Sequence, residues 1–312
     1  MTTFVGRDGE RTELEQMLTA ALDGRGALAL LAGEPGIGKT TLAEQVATAA
    51  TSRGAAVRWG RCPEATGAPP FWPFRPIVQS WPPADGLDRF ELFENIAAAL
   101  ANDAAPSGLV VILDDLHWAD EGTLRLLEHI AVGLPQTRLL IIGTYRDVDV
   151  GRGDPLERAL GTLVRHATQF KLRGLARADV AQLAGAARGN EVDPATVSAL
   201  VDHTDGNPFF LNQVMRLLAA EGRLEGVPPG VGEVVRRRLE RLGDDAVGVL
   251  TVAAVLGRGF DARLVEALHG GGVDVDKAID SAVDAALLEE DGALPGRYRF
   301  VHALVREVLY ED

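Results

Sequence analysis

The sequence predicts an α/β fold: a five-stranded parallel sheet with helices on both faces, followed by a helical domain and a small winged-helix-like domain. Three patterns carry this expectation. Five apolar, β-rich runs alternate with helical stretches over the first 175 residues, the pattern of parallel strands joined by crossover helices. Beyond Leu175 the strand-like runs give way to segments with apolar residues three and four apart. A break at Gly222 to Gly230, with Pro228-Pro229, then separates these helices from a last set of short elements. The expected domains are residues 1–174, 175–225 and 226–312.

The strand candidates are Ala27–Ala32, Ala55–Trp59, Leu109–Leu113, Leu139–Gly143 and Gln169–Leu172. Between the first two, Thr40–Ser52 carries Leu42, Val46, Ala49 and Ala50 at helical spacing. The proline-dense segment Pro63–Pro83 holds Phe71, Trp72, Phe74 and Trp81 and reads as a structured loop. Its aromatics serve packing or a ligand cage, of which packing is the commoner use. The second domain is read as helices Arg177–Ala187, Pro194–His203 and Pro208–Glu221. The third is read as helices Val231–Leu242, Ala246–Leu256, Ala262–Leu268 and Val275–Leu288, then strands Leu288–Asp291 and Tyr298–Val301 around a Pro295-Gly296 turn. A final helix, His302–Tyr310, runs to the chain end without a cap, as expected of a piece of something longer or of a frayed end.

Composition removes several function classes. The chain has 312 residues, enough for two or three domains, with 46% apolar and 24% charged residues, an ordinary globular balance. Its apolar stretches fall far short of a membrane span, and Arg7, Asp8, Glu10 and Arg11 near the start argue against a secretory signal. One cysteine, Cys62, excludes an intrachain disulfide, and six scattered histidines offer no metal cluster, so a cytoplasmic protein is expected. The net charge of −14 repels phosphate backbones. Arg236, Arg237, Arg238 and Arg241 form a basic stretch, but residues 226–312 hold 10 basic and 16 acidic side chains, a net of −6. Direct DNA binding is therefore not expected.

The chemistry sits at two strand ends. Directly behind the first strand, Gly33-Glu34-Pro35-Gly36-Ile37-Gly38-Lys39-Thr40-Thr41 forms a phosphate-binding loop that opens a helix. Its glycines let successive N–H groups converge on a phosphate chain, and the helix N-terminus adds its partial positive charge. Lys39 is expected on the β- and γ-phosphates and the Thr40 hydroxyl in a Mg²⁺ shell. A chance glycine turn is the rival, and the agreement of loop, strand and helix disfavours it. The third strand ends in Asp114-Asp115, at the edge of a parallel sheet where ligands bind. Asp114 is expected to hold Mg²⁺ through water and Asp115 to orient or deprotonate the attacking water. If the fourth strand lies between the first and third, Arg146 points at the γ-phosphate; the rival reading, with either order, is a surface ion pair with Asp147 or Asp149.

Together these residues resemble the signal-transducing P-loop ATPases with numerous domains (the STAND group of the AAA+ superclass), and more narrowly the ATPase module of large LuxR-type bacterial transcription regulators. Four further segments carry the likeness: Phe4-Val5-Gly6-Arg7 with Glu10; Leu113-Asp114-Asp115-Leu116-His117-Trp118-Ala119-Asp120; Gly206-Asn207-Pro208-Phe209-Phe210; and Arg299-Phe300-Val301-His302 with Arg306, Glu307 and Tyr310. The resemblance implies an ATP or ADP switch with Mg²⁺, and C-terminal sensor and effector domains or partner proteins. It also implies ATP-dependent self-assembly. By the same likeness Phe4, Val5, Gly6 and Arg7 lie against the adenine, Pro208 packs on the base and Arg146 senses the γ-phosphate. His302 corresponds either to a histidine touching ADP phosphates or to a structural residue. The chain departs from the fast motors of the superclass in having Asp115 where they carry Glu, which favours slow hydrolysis. The alternative is an active motor or ring-forming ATPase, with Arg152, Arg158 or Arg165 supplied across a subunit edge.

Overall fold

In a computed structural model, residues 4–63, 68–82, 88–147, 150, 153–188, 191–221, 232, 235–236, 239–285, 287–290, 295–301 and 303–311 are described. They form two compact units, Arg7–Leu172 and Met1–Gly6 with Arg173–Asp312.

The first unit is built on strands β1 (Ala27–Ala32), β2 (Ala56–Arg61), β3 (Leu109–Asp114), β4 (Leu139–Tyr145) and β5 (Ala167–Lys171). Their order is β2-β3-β4-β1-β5, and every neighbouring pair is parallel. The fourth strand thus lies between the loop strand and the acid strand, the order on which the Arg146 expectation depended. Strands β3 and β4 are buried along their whole length, because helices cover both faces. Leu28, Leu30, Val111, Leu113, Leu139 and Ile141 form one core with Ile96 and Leu100 of α3 (Arg89–Ala104), Leu127 of α4 (Glu121–Gly133) and Leu156 of α5 (Pro155–Leu163). The alternate residues Ala29, Leu31, Val110, Ile112, Leu140 and Ile142 are equally buried and face the other way, towards α1 (Asp8–Leu22) and α2 (Lys39–Ser52). Those two helices answer with buried Leu14, Leu18, Leu42 and Val46.

Local chemistry sets the helix starts. Asp88 accepts from the Glu91 N–H while the Glu91 carboxylate takes the Asp88 N–H, a reciprocal cap that begins α3. Asp120, the last acid of the Leu113–Asp120 run, accepts from the Thr123 N–H at 3.0 Å and begins α4. Within the proline-dense loop, Trp72–Phe74 makes a single 3₁₀ turn, Phe74 is fully buried, and Phe71 stands edge-on to Phe93, 5.9 Å away. The described aromatics Phe71, Phe74 and Trp81 are packing residues; Trp72 is exposed.

The second unit contains α6 (Arg177–Arg188), α7 (Pro194–Thr204), α8 (Pro208–Glu221) and α9 (Asp244–Leu256), then β6 (Gly259–Asp261), α10 (Ala262–His269), α11 (Val275–Asp284), β7 (Leu288–Glu290), β8 (Arg297–Phe300) and α12 (Ala303–Glu311). Its three short strands form an antiparallel sheet in the order β6-β8-β7. Two details depart from the sequence expectation. The helix expected over Val275–Leu288 ends at Asp284, because Leu288 is drawn into β7, where it pairs with Phe300. Strand β6 was not expected at all: Gly259-Phe260-Asp261 is too short to show alternation and exists only through its pairing with β8. Most of the expected helix Val231–Leu242 and the Gly222–Gly230 break lie outside the described residues.

Candidate nucleotide site

The loop after β1 is shaped by its glycines. Gly38 has φ 100° and caps α2, a left-handed conformation that a side chain disfavours. At Gly33 a Cβ would sit 2.7 Å from the Leu172 carbonyl oxygen, so only glycine lets β1 turn into the loop beside the chain leaving β5. Ile37 is buried and anchors the loop from below. Arg7, itself almost buried, donates to the Ile37 carbonyl at 3.3 Å and pairs with Glu10 at 3.5 Å. Arg7 thereby braces the loop backbone.

Lys39 is folded back along the loop, its Nζ donating to the Gly33 carbonyl at 2.7 Å and the Glu34 carbonyl at 2.9 Å. Burial lowers its pKa from 10.5 to about 8, with the nearby Arg146 charge next in weight; Asp115, Asp147 and Asp114 act the other way. An ammonium so placed gains most from an anion entering the loop.

At the end of β3, Asp114 is 1% exposed and its carboxylate is fully engaged. Oδ1 accepts from the Thr40 hydroxyl at 3.1 Å and the Thr144 hydroxyl at 2.7 Å, and Oδ2 accepts from Arg61 at 2.8 Å. Asp115 follows in the left-handed region (φ 62°), its N–H donating to the Thr144 oxygen at 3.0 Å. Burial, then the neighbouring Asp114 charge, raises the Asp115 pKa; Arg146, Arg61 and Lys39 pull it down. His117 lies beneath, 4.0 Å from the Asp115 carboxylate. The Cys62 thiol is pushed up to about 12 by burial, so it is no nucleophile.

The first unit therefore holds Lys39, Thr40, Asp114, Asp115 and Arg146 of the expected site, together with Arg7 and the whole loop from Gly33 to Thr41. Arg146 is within electrostatic range of both Lys39 and Asp115. Of its two alternative ion-pair partners, Asp147 pairs with Lys171 at 3.4 Å, and Asp149 lies outside the described residues. The expected base contacts Phe4, Val5, Gly6 and Pro208 belong to the second unit. There Val5 is buried in a core with Leu175, Phe210 and Leu211, Gly6 (φ 73°) packs against Leu175 and Asp179, and Pro208 starts α8. His302 lies outside the described residues, as does Arg152; Arg158 and Arg165 are exposed.

Two residues escaped the sequence reading. Thr144 stood inside the Thr144-Tyr145-Arg146-Asp147 run without a role, yet it joins Asp114 to the Asp115 backbone. Arg61 lay two residues beyond the expected strand Ala55–Trp59 and was given no role. The parallel register that sets it opposite Asp114 is a property of the sheet.

The comparisons with known proteins agree with this architecture. A family model described as an AAA ATPase domain matches residues 3–81. A Walker-type ATPase of Pyrococcus abyssi superposes with a TM-score of 0.65 at 16% identity, over 98% of this chain and 96% of that one. The ORC2 protein of Aeropyrum pernix, solved in ADPNP and ADP complexes, superposes with a TM-score of 0.57 at 17% identity, over 98% and 93%. The fold is that of a P-loop ATPase. A STAND protein of Pyrococcus horikoshii with a tetratricopeptide repeat sensor is also similar, at 19% identity and a TM-score of 0.48; the chain spans 43% of its length. No curated protein matches the chain. Among the described residues no helix is long and apolar enough to cross a membrane, and no group of histidine, cysteine and acidic side chains is arranged as a metal cluster.

Proposed function

We propose that this chain is an ATP-binding regulatory switch that hydrolyses ATP slowly and couples its nucleotide state to conformational change in signal transduction or transcription regulation. The observation that carries the reading is the 3.1 Å hydrogen bond between Thr40 and Asp114, which brings the loop hydroxyl and the strand-end acid to one point. Two hard oxygen donors at that point suit Mg²⁺, which would neutralise phosphate charge there. Lys39 and the loop N–H groups bind the phosphates, and Arg146 answers the γ-phosphate charge. Asp115, its pKa raised, takes the proton of the attacking water. Its carboxylate is one methylene shorter than glutamate and its backbone is held by Thr144, which supports slow turnover over a motor cycle.

Residues 226–312 form a winged-helix part, supported by their order of helix, strand, two helices and two strands. The nucleotide content of freshly purified protein, released by denaturation and separated chromatographically, tests the proposal. Stoichiometric ADP with steady-state turnover well below one per minute is expected. Turnover of several per second would refute the switch in favour of a motor, and unchanged ATP affinity in Lys39→Ala would refute the site.

A further inference from the structure

Arg61 ends edge strand β2, and the parallel register sets it directly opposite Asp114. Its guanidinium donates to Asp114 Oδ2 at 2.8 Å, while both threonine hydroxyls occupy Oδ1. The two partners sit in different surroundings: the Arg61 side chain is 69% exposed and that of Asp114 only 2%. A carboxylate this buried needs a cation beside it, because two neutral hydroxyls do not offset its charge. The mostly solvated guanidinium, in contrast, loses little on leaving. The Asp115 carboxylate also feels the Arg61 charge, so the guanidinium serves both acids.

We infer that Arg61 is a built-in countercation that holds the metal-binding carboxylate of Asp114 in the nucleotide-free protein and competes with the divalent cation for it. The inference rests on reading Asp114 as a metal ligand. Arg61 must release Oδ2 when the carboxylate takes a metal, and its long exposed side chain can swing into water on the open side of β2. Metal alone then binds poorly, and the site loads metal only when a nucleotide brings phosphate ligands with it. Empty protein is thereby kept from filling with free divalent cation, and its buried acid stays neutralised while it waits.

The test uses the whole chain and metal without nucleotide. Mn²⁺ binding followed by electron paramagnetic resonance is expected to be about tenfold tighter or more in Arg61→Ala than in the parent protein, as expected when a charge-assisted competitor is removed. Mg²⁺ alone should raise the melting temperature of Arg61→Ala and leave that of the parent unchanged. Arg61→Lys, which keeps the cation, should behave as the parent does. Adding Asp114→Asn to Arg61→Ala should abolish the gained Mn²⁺ site. Equal Mn²⁺ affinity in parent and Arg61→Ala overturns the inference. If Mg²⁺ still tightens ADP binding in both proteins, the nucleotide site stands without it. If Mg²⁺ tightens ADP binding in neither, the metal role of Asp114 falls, and the inference with it.

Discussion

Nucleotide binding should draw a proton into the site, and the size of the effect follows from Lys39. Its ammonium is buried within range of the Arg146 charge, and together these hold its pKa at about 8 against an ordinary 10.5. A bound triphosphate replaces lost water with negative charge and returns the pKa at least to its ordinary value. That difference corresponds to about 3 kcal/mol between the two protonation states. At pH 8 about half of the empty sites carry a neutral lysine, so binding takes up about 0.5 proton per site; at pH 9 it takes up about 0.9. The apparent dissociation constant should weaken about tenfold between pH 7 and pH 9, roughly 1.4 kcal/mol. Over most of this interval phosphate groups, whose last pKa lies near 6, have finished titrating. Calorimetric titration of ATP in two buffers of different ionisation enthalpy reads the proton count directly. Arg146→Gln should move the midpoint to higher pH by removing one like charge. Constant affinity from pH 7 to pH 9 with no proton uptake would refute the reasoning, because Lys39 would then be fully cationic in the empty loop.

Three other perturbations probe separate parts of the site. Asp115→Asn should keep ATP affinity and lose on the order of a hundredfold or more in hydrolysis, measured as phosphate release; preserved turnover would assign the water to another residue. Thr144→Val, nearly isosteric, leaves the Asp115 N–H and one lone pair of Asp114 without their partner, and should cost about 1–3 kcal/mol in denaturant unfolding. Gly38→Ala forces a side chain onto φ 100° and should destabilise the protein by about 1–3 kcal/mol as well as weakening ATP binding, seen by unfolding and titration together.

The elements differ in how far the sequence announced them. Strand β1 was legible to the residue, since Ala27–Ala32 is a run of six apolar side chains bounded by glycines. Strand β2 was placed but shifted: Ala56–Arg61 carries Arg58 and Arg61, which blur its apolar pattern, and it is an edge strand with partly exposed residues. The end of α11 was overrun because apolar spacing continues through Leu287 and Leu288, and only pairing with Phe300 decides that Leu288 is sheet. At the site, residues that act through fixed local geometry were readable. The loop Gly33–Thr41 and the pair Asp114-Asp115 each lie within one short stretch of chain. Thr144 and Arg61 were not, because each gains its role only by lying next to β3.

The sequence by itself determined the parallel α/β fold, the glycine-bearing loop Gly33–Thr41 behind β1 and the two acids at the end of β3. Local physics suffices there: apolar runs must be buried, and glycines permit the left-handed turn. The tertiary structure decided that β4 inserts between β1 and β3, bringing Arg146 and Thr144 to the acids, and that Arg61 faces Asp114 across a strand pair. Strand order and register arise from long-range pairing, in which residues 53 positions apart in the chain become neighbours, and no short window of sequence encodes that choice.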